Sequence, residues 1–193
     1  MSKFPSLPDN PEMIEVLAAF PEGFEALCDY HDIILRGPSP LSVAERELIA
    51  TYVSGLNQCD FCFGAHSAHA EAHGIDAEAF EKLITDPASA GVDEKLLPLL
   101  AYAKKLTLSP SGTTDEDAAL VYEAGWNEQA LFHAISVTGI LNLMNRLVEG
   151  AGVTANAMLR ETSRKRIEGD LDNPAPYADF ARTVVARSKR GQV

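Results

Sequence analysis

Apolar residues recur at helical spacing along nearly the whole chain, and no segment alternates polar and apolar residues as a half-buried strand would. That pattern predicts an all-α fold, and 193 residues suffice for a sizeable core in one domain spanning 1–193. After a proline-rich lead, residues 11–19 and 22–36 read as two short helices, and Gly37-Pro38-Ser39-Pro40 breaks the chain. Ser42 and Glu45 form an S-x-x-E capping box that opens a helix over 43–56, with Asn57-Gln58 as its stop. A second helix begins at about Cys59 and runs to His73, where Gly74 suits the position after a helix end. Asp76 caps a short helix ending near Thr85. Residues 94–108 hold another, starting nearer Leu97 because Pro98 is tolerated only in a first turn. Thr113 or Thr114 opens the next, to about Ala124, and Gly125 ends it. Residues 127–149 form one long apolar helix closing at Gly150, and segments 154–168 and 176–189 complete the set. Ser163-Arg164-Lys165-Arg166 reads as a solvated helix end, where cations suit the dipole.

Charge narrows the partners. Lys and Arg number 16 against 28 Asp and Glu, a net charge of -12 that repels phosphate backbones and anionic lipid. Nucleic acid and membrane are therefore poor partners. The start Met1-Ser2-Lys3-Phe4-Pro5-Ser6-Leu7-Pro8 has no apolar signal region, and no uninterrupted run approaches 18 apolar residues, so the expected location is the cytoplasm. Three cysteines are too few for a disulfide-stapled scaffold, and a close pair in a reducing compartment points to catalysis or metal binding.

The pair lies in Cys59-Asp60-Phe61-Cys62-Phe63-Gly64-Ala65-His66, with Glu47 twelve positions before the first cysteine. A thiol at a helix start meets unsatisfied N–H groups whose partial positive charge favours the thiolate. A pKa drop of about two units takes the thiolate fraction at pH 7 from about 3% to about 75%, and only the thiolate attacks. The three-residue spacing lets both sulfurs meet on one turn, so a disulfide can close and reopen. On this ground Cys59, the more exposed of a helix-start pair, is a natural nucleophile. His66 lies four residues after Cys62, on the same helix face, where it can serve as a base for that thiol or stabilise its thiolate. Glu45 is occupied by the capping box, which leaves Glu47 without a local task. It can reach His66 or Cys62 if the two helices pack antiparallel, or else remain a solvated carboxylate.

Other readings stand beside this one. Cys62, His66, His69 and His73 share one helical stripe, so Cys59, Cys62 and two of the histidines could hold zinc, although four ligands on one straight helix cannot surround a tetrahedral ion. Phe61, Phe63, Phe132 and Trp126 read as core residues, and Cys28 as a small buried hydrophobe. Asn142, Asn145 and Arg146 share a face of the long helix, where they could line the site, satisfy neighbouring helix ends or pair across subunits.

Glu47, the Cys59-x-x-Cys62 pair and His66 in this spacing resemble the signature of the alkylhydroperoxidase D-like proteins, within the carboxymuconolactone decarboxylase superfamily. The segment Leu41-Ser42-Val43-Ala44-Glu45-Arg46-Glu47-Leu48-Ile49-Ala50, with Asn145-Arg146-Leu147, resembles its peroxidase-related branch, and the similarity spans about residues 20–160. The resemblance implies an all-α, multi-helix domain with the cysteine pair at a helix N-terminus, assembled as a homo-oligomer, a trimer or a hexamer. It implies a thiol-dependent peroxidase in which Cys62 attacks a hydroperoxide, Cys59 resolves, Glu47 and His66 relay protons, and an external dithiol restores the pair. No cofactor or metal is implied. Studied peroxidases of the family carry a further histidine where this chain has Phe61, which lowers the turnover expected here. The alternatives are a disulfide reductase, a lactone decarboxylase-like enzyme, or a non-enzymatic zinc-binding or redox-sensing module.

Overall fold

A computed structural model describes residues 3–155 and 159–189 of the protein. The described residues form α-helices with no strand. The first four are α1 (Met13–Ala19), α2 (Phe24–Leu35), α3 (Val43–Leu56) and α4 (Asp60–Ala72). They are followed by α5 (Ala79–Leu83), α6 (Leu97–Leu108) and α7 (Asp115–Glu123). The last three are α8 (Glu128–Ala151), α9 (Leu159–Glu168) and α10 (Pro176–Lys189).

The capping chemistry sets these ends. Ser42 accepts from the Glu45 N–H while Glu45 returns a bond to the Ser42 N–H, so the reciprocal box opens α3 as expected. Thr114 does the same for α7 with Asp117 at the third position. Pro98 sits in the first turn of α6, after a short 3-10 turn over Glu94–Leu96. One end differs from expectation. The long helix passes Gly150 and stops at Ala151, because Gly152 (φ 76°) takes the left-handed conformation that lets the Val153 N–H close on Val148 O at 3.1 Å.

The largest core gathers on α3, whose Leu48, Ile49, Ala50 and Val53 are fully buried against α6 and α8. Each such aliphatic side chain stabilises the fold by roughly 1.5–3 kcal/mol relative to exposure. On its other side α3 lies against α4, its most extensive neighbour. Gly55 permits a close approach, since a Cβ there would sit 2.2 Å from Ile84 Cδ1. The α8 helix is long and apolar enough to cross a membrane by length and composition alone, yet half of its apolar window is buried among other helices, as in a core helix.

A smaller cluster joins α2 and α10, where Cys28 packs with Leu17, Phe24, Ala181 and Val184. Burial pushes the Cys28 thiol up to about 12, which fits the small inert hydrophobe expected from the sequence. The N-terminus of α10 is held by Asp32 of α2, whose carboxylate accepts from the Tyr177 N–H at 3.1 Å and the Ala178 N–H at 2.8 Å. Phe132 corrects the expected core set: it is 64% exposed on α8, a helix that also exposes Leu143 and Leu147 further along. Phe61, Phe63 and Trp126 are partly buried at the edges of the cores. In α9, Lys165 and Arg164 pair with Glu161 and Glu168 on the surface, while Ser163 is buried rather than solvated.

Candidate functional site

The site begins in the turn between α3 and α4. Asn57 ends α3 and Gln58 takes a left-handed φ of 56°, a conformation that usually selects Gly or Asn. The turn is held from α8: the Asn57 amide donates to Asn142 Oδ1 at 3.1 Å and to Asn145 Oδ1 at 2.8 Å, and Asn145 donates to Ser54 Oγ at 3.2 Å. Arg146 donates to Asn142 Oδ1 at 2.8 Å. The polar face of α8 thus satisfies a neighbouring helix end, one of the roles open to it from sequence. The Asn145 side chain also favours the thiolate form of Cys62, against the larger effects that raise its pKa.

Cys59 is the N-cap residue of α4, with its own N–H bonded to Ser54 O at 3.0 Å, and Cys62 lies one turn inside the helix. Both are free thiols, Cys59 at 0% exposure and Cys62 at 4%. The Cys62 thiol hydrogen-bonds to Cys59 and holds it below the usual thiol range, against the opposing effect of burial. The same bond, and burial, push Cys62 up. The first negative charge of the pair therefore belongs on Cys59, the sulfur nearer the helix N-terminus. Against the sequence expectation of exposure, Cys59 is the more deeply buried of the two.

Glu47 is not a solvated carboxylate. It is 0% exposed, and its Oε2 accepts from His66 Nδ1 at 2.7 Å across the α3–α4 packing. Because a carboxylate only accepts here, the shared hydrogen sits on His66 Nδ1. Arg36, just past the end of α2, places Nη1 at 2.5 Å from Glu47 Oε1, an ion-pair contact rather than an aligned hydrogen bond. Burial alone would push the Glu47 carboxyl up; the Arg36 guanidinium, with His69 and His66, more than reverses this and keeps it below the usual carboxylate range. Arg36 Nη2 also donates to His69 Nδ1 at 3.0 Å, and the Tyr177 ring lies under its guanidinium at 5.5 Å. His73 stays out of this array, its Nδ1 bonded to His69 O at 2.8 Å.

Cys62, His66, His69, His31 and Tyr177 face one cavity of about 410 Å³, whose remaining wall is mostly apolar, including Met13, Leu17, Phe24, Phe61, Met144 and Phe180. Cys59 does not reach it. Among the described residues no three His, Cys, Asp or Glu side chains converge as a metal site would require, so the zinc alternative finds no ligand set. Arg36, His31 and Tyr177 were not legible as site residues: they arrive from α2 and α10, remote from the cysteine pair, with no spacing relation to it.

Burial pushes the His31 imidazole down to about 4 from 6.5. The unfolded chain takes up a proton below pH 6.5 that the folded chain refuses, so this contribution to stability is complete above pH 6.5 and is lost as pH falls toward 4. Between pH 7 and 5 the loss is about 2 kcal/mol, to be read from urea unfolding midpoints. His31→Gln is expected to remove most of that slope, and an unchanged slope would contradict the assignment.

Residues 21–105 match the carboxymuconolactone decarboxylase family. The matched segment contains Glu47, Cys59, Cys62 and His66, and the resemblance read from their spacing is borne out. An uncharacterized peroxidase-related protein from Silicibacter sp. TM1040 is 27% identical, with a TM-score of 0.70 over 76% of this chain and 77% of that one. The alkylhydroperoxidase AhpD core of an uncharacterized peroxidase-related protein from Ralstonia eutropha is 23% identical, with a TM-score of 0.71 over 77% and 78%. A protein of unknown function from Agrobacterium tumefaciens is 19% identical, with a TM-score of 0.67 over 74% and 96%. The last two likenesses concern the fold alone, and the all-α architecture agrees with it. A comparison with curated proteins gives no match.

Proposed function

We propose that the protein is a thiol-dependent peroxidase that reduces a hydroperoxide at Cys62 and is restored by an external dithiol. The observation that carries this reading is the buried Glu47–His66 pair, bonded at 2.7 Å, whose His66 lines the same cavity as Cys62 with Cys59 close behind. In the proposed cycle His66 takes the Cys62 proton and Glu47 stabilises the imidazolium. The Cys62 sulfur attacks the distal peroxide oxygen, the S–O bond forms as O–O breaks, and the alkoxide receives that proton to leave as alcohol. The Cys59 thiol then attacks the sulfenic sulfur, closing the disulfide and releasing water. An external dithiol reduces it by exchange.

Access and acidity divide the labour between the sulfurs. Substrate can reach only the sulfur that lines the cavity, which selects Cys62 as nucleophile despite its raised pKa. Cys59, the more acidic thiol, suits resolution as a thiolate, and it is the better leaving group when a reductant attacks Cys62. Cytoplasmic location, a single domain and assembly into trimers or hexamers belong to the same proposal. The exposed Phe132, Leu143 and Leu147 on α8 support assembly.

Thiol counting tests the cycle. A molar equivalent of tert-butyl hydroperoxide is expected to lower the titratable thiols from three to one, and a dithiol to restore three. The survivor mapped by mass spectrometry should be Cys28. A count that stays at three would sink the proposal.

A further inference from the structure

One buried titratable group facing the cavity has no part in the cycle above. His31 comes from α2, is 4% exposed, and shares the cavity with Cys62 and His66. Its Nδ1 lies 2.8 Å from Leu27 O. A carbonyl oxygen only accepts, so the ring hydrogen is on Nδ1 and the lone pair is on Nε2, at the opposite edge of the ring. Among the described residues that Nδ1 bond is the one hydrogen bond of the ring, which leaves Nε2 free to accept. Tyr177 packs against the ring at 5.1 Å between centroids and fixes its plane.

The neighbourhood makes such an acceptor consequential. The cavity wall that His31 shares is mostly apolar, with Leu17 from α1 and Phe24 and Leu27 from its own helix. An O–H group entering such a wall loses its water partners and binds well only where an acceptor replaces them. His66 lines the same cavity, but in the cycle it takes the Cys62 proton. The two rings can therefore serve two different hydrogens.

We propose that His31 accepts the hydroperoxide O–H at Nε2 and so turns the distal oxygen toward the Cys62 sulfur; this rests on the peroxidase reading. The proton is held, not removed. Cys62 attacks that oxygen, the S–O bond forms as O–O breaks, and the hydrogen remains on the oxygen now bound to sulfur as the sulfenic acid. The alkoxide is protonated from His66, so the sum is thiol plus hydroperoxide giving sulfenic acid plus alcohol. His31 thereby contacts substrate and contributes orientation, and it favours peroxides that carry an O–H group.

Three proteins decide the matter: wild type, His31→Phe, which keeps ring bulk without an acceptor, and His31→Gln, whose Oε1 can take the place of Nε2. Each is folded by circular dichroism before use. Two rates are measured on each: disulfide formation with tert-butyl hydroperoxide, and alkylation of Cys62 by iodoacetamide, mapped by peptide mass. His31→Phe is expected to slow the peroxide reaction about 10–100-fold while alkylation stays within about twofold, since one hydrogen bond to substrate is lost and the thiol is not. His31→Gln is expected to recover most of the rate. A peroxide rate unchanged in His31→Phe overturns the proposal, as does a parallel fall in alkylation, or a glutamine variant no better than phenylalanine. A wild-type protein that forms no disulfide and keeps three thiols overturns the peroxidase reading itself, and this inference with it.

Discussion

Cys62→Ser is expected to abolish hydroperoxide consumption, lowering turnover by at least about 10³-fold, because a serine hydroxyl in the same place has neither the nucleophilicity nor the accessible anion of a thiol. Cys59 cannot substitute, since it lies at 0% exposure outside the cavity wall. Cys59→Ser should behave differently. It leaves the attack intact but removes the partner that condenses with the sulfenic acid. A single turnover, trapped by a dimedone adduct on Cys62, is then expected, followed by inactivation as excess peroxide drives the sulfur to sulfinic acid. Undiminished turnover in Cys62→Ser, or an adduct mapped to Cys59 in the wild type, would reverse the two roles.

The second large effect is on stability. Glu47→Ala leaves the Arg36 guanidinium, 5% exposed, without its carboxylate and His66 without its acceptor. Breaking a buried pair from one side costs about 3–5 kcal/mol, against a total of about 5–15 kcal/mol for an ordinary domain. For a chain of this size that is a fall in Tm of roughly 6–20 °C. The double variant Arg36→Met with Glu47→Leu should recover much of the loss, because neither charge is then stranded. Calorimetry of the single and double variants measures both effects. A double variant no more stable than Glu47→Ala would mean that the two residues act independently. The same single substitution should also slow Cys62 alkylation, since the imidazolium at His66 loses its stabilising charge.

Which parts of this were legible in the chain follows from how far the relevant forces reach. Capping is local: Ser42 with Glu45, Thr114 with Asp117, and Pro98 in a first turn set helix starts within a residue or two. The Cys62–His66 register is local too, and the idle Glu47 became informative once its neighbour Glu45 was accounted for by the box. Gly150 reads as the stop of α8 from sequence; the helix ends instead before Gly152, whose left-handed turn brings Val153 back to Val148, a matter of packing at that end of α8. Phe132 has the periodicity of a core residue, but periodicity says only that a face is apolar, not what covers it. Arg36, His31 and Tyr177 meet the site through tertiary packing, and nothing in their immediate surroundings marks them. The relative acidity of the two thiols was likewise invisible, since it turns on which sulfur donates to the other and how much water each keeps.

Asp32 holding the first turn of α10 bears on the life history of the molecule. That helix supplies Pro176, Tyr177 and Phe180 to the cavity wall, so the pocket is enclosed only after the last of the described helices has been made and has docked. Until then the cavity onto which Cys62 and His66 face lacks one of its walls and is more open to oxidants and thiol reagents. Selectivity is thus completed only once α10 is in place, and a polypeptide interrupted before residue 176 has the reactive sulfurs without the part of the wall that Pro176, Tyr177 and Phe180 supply.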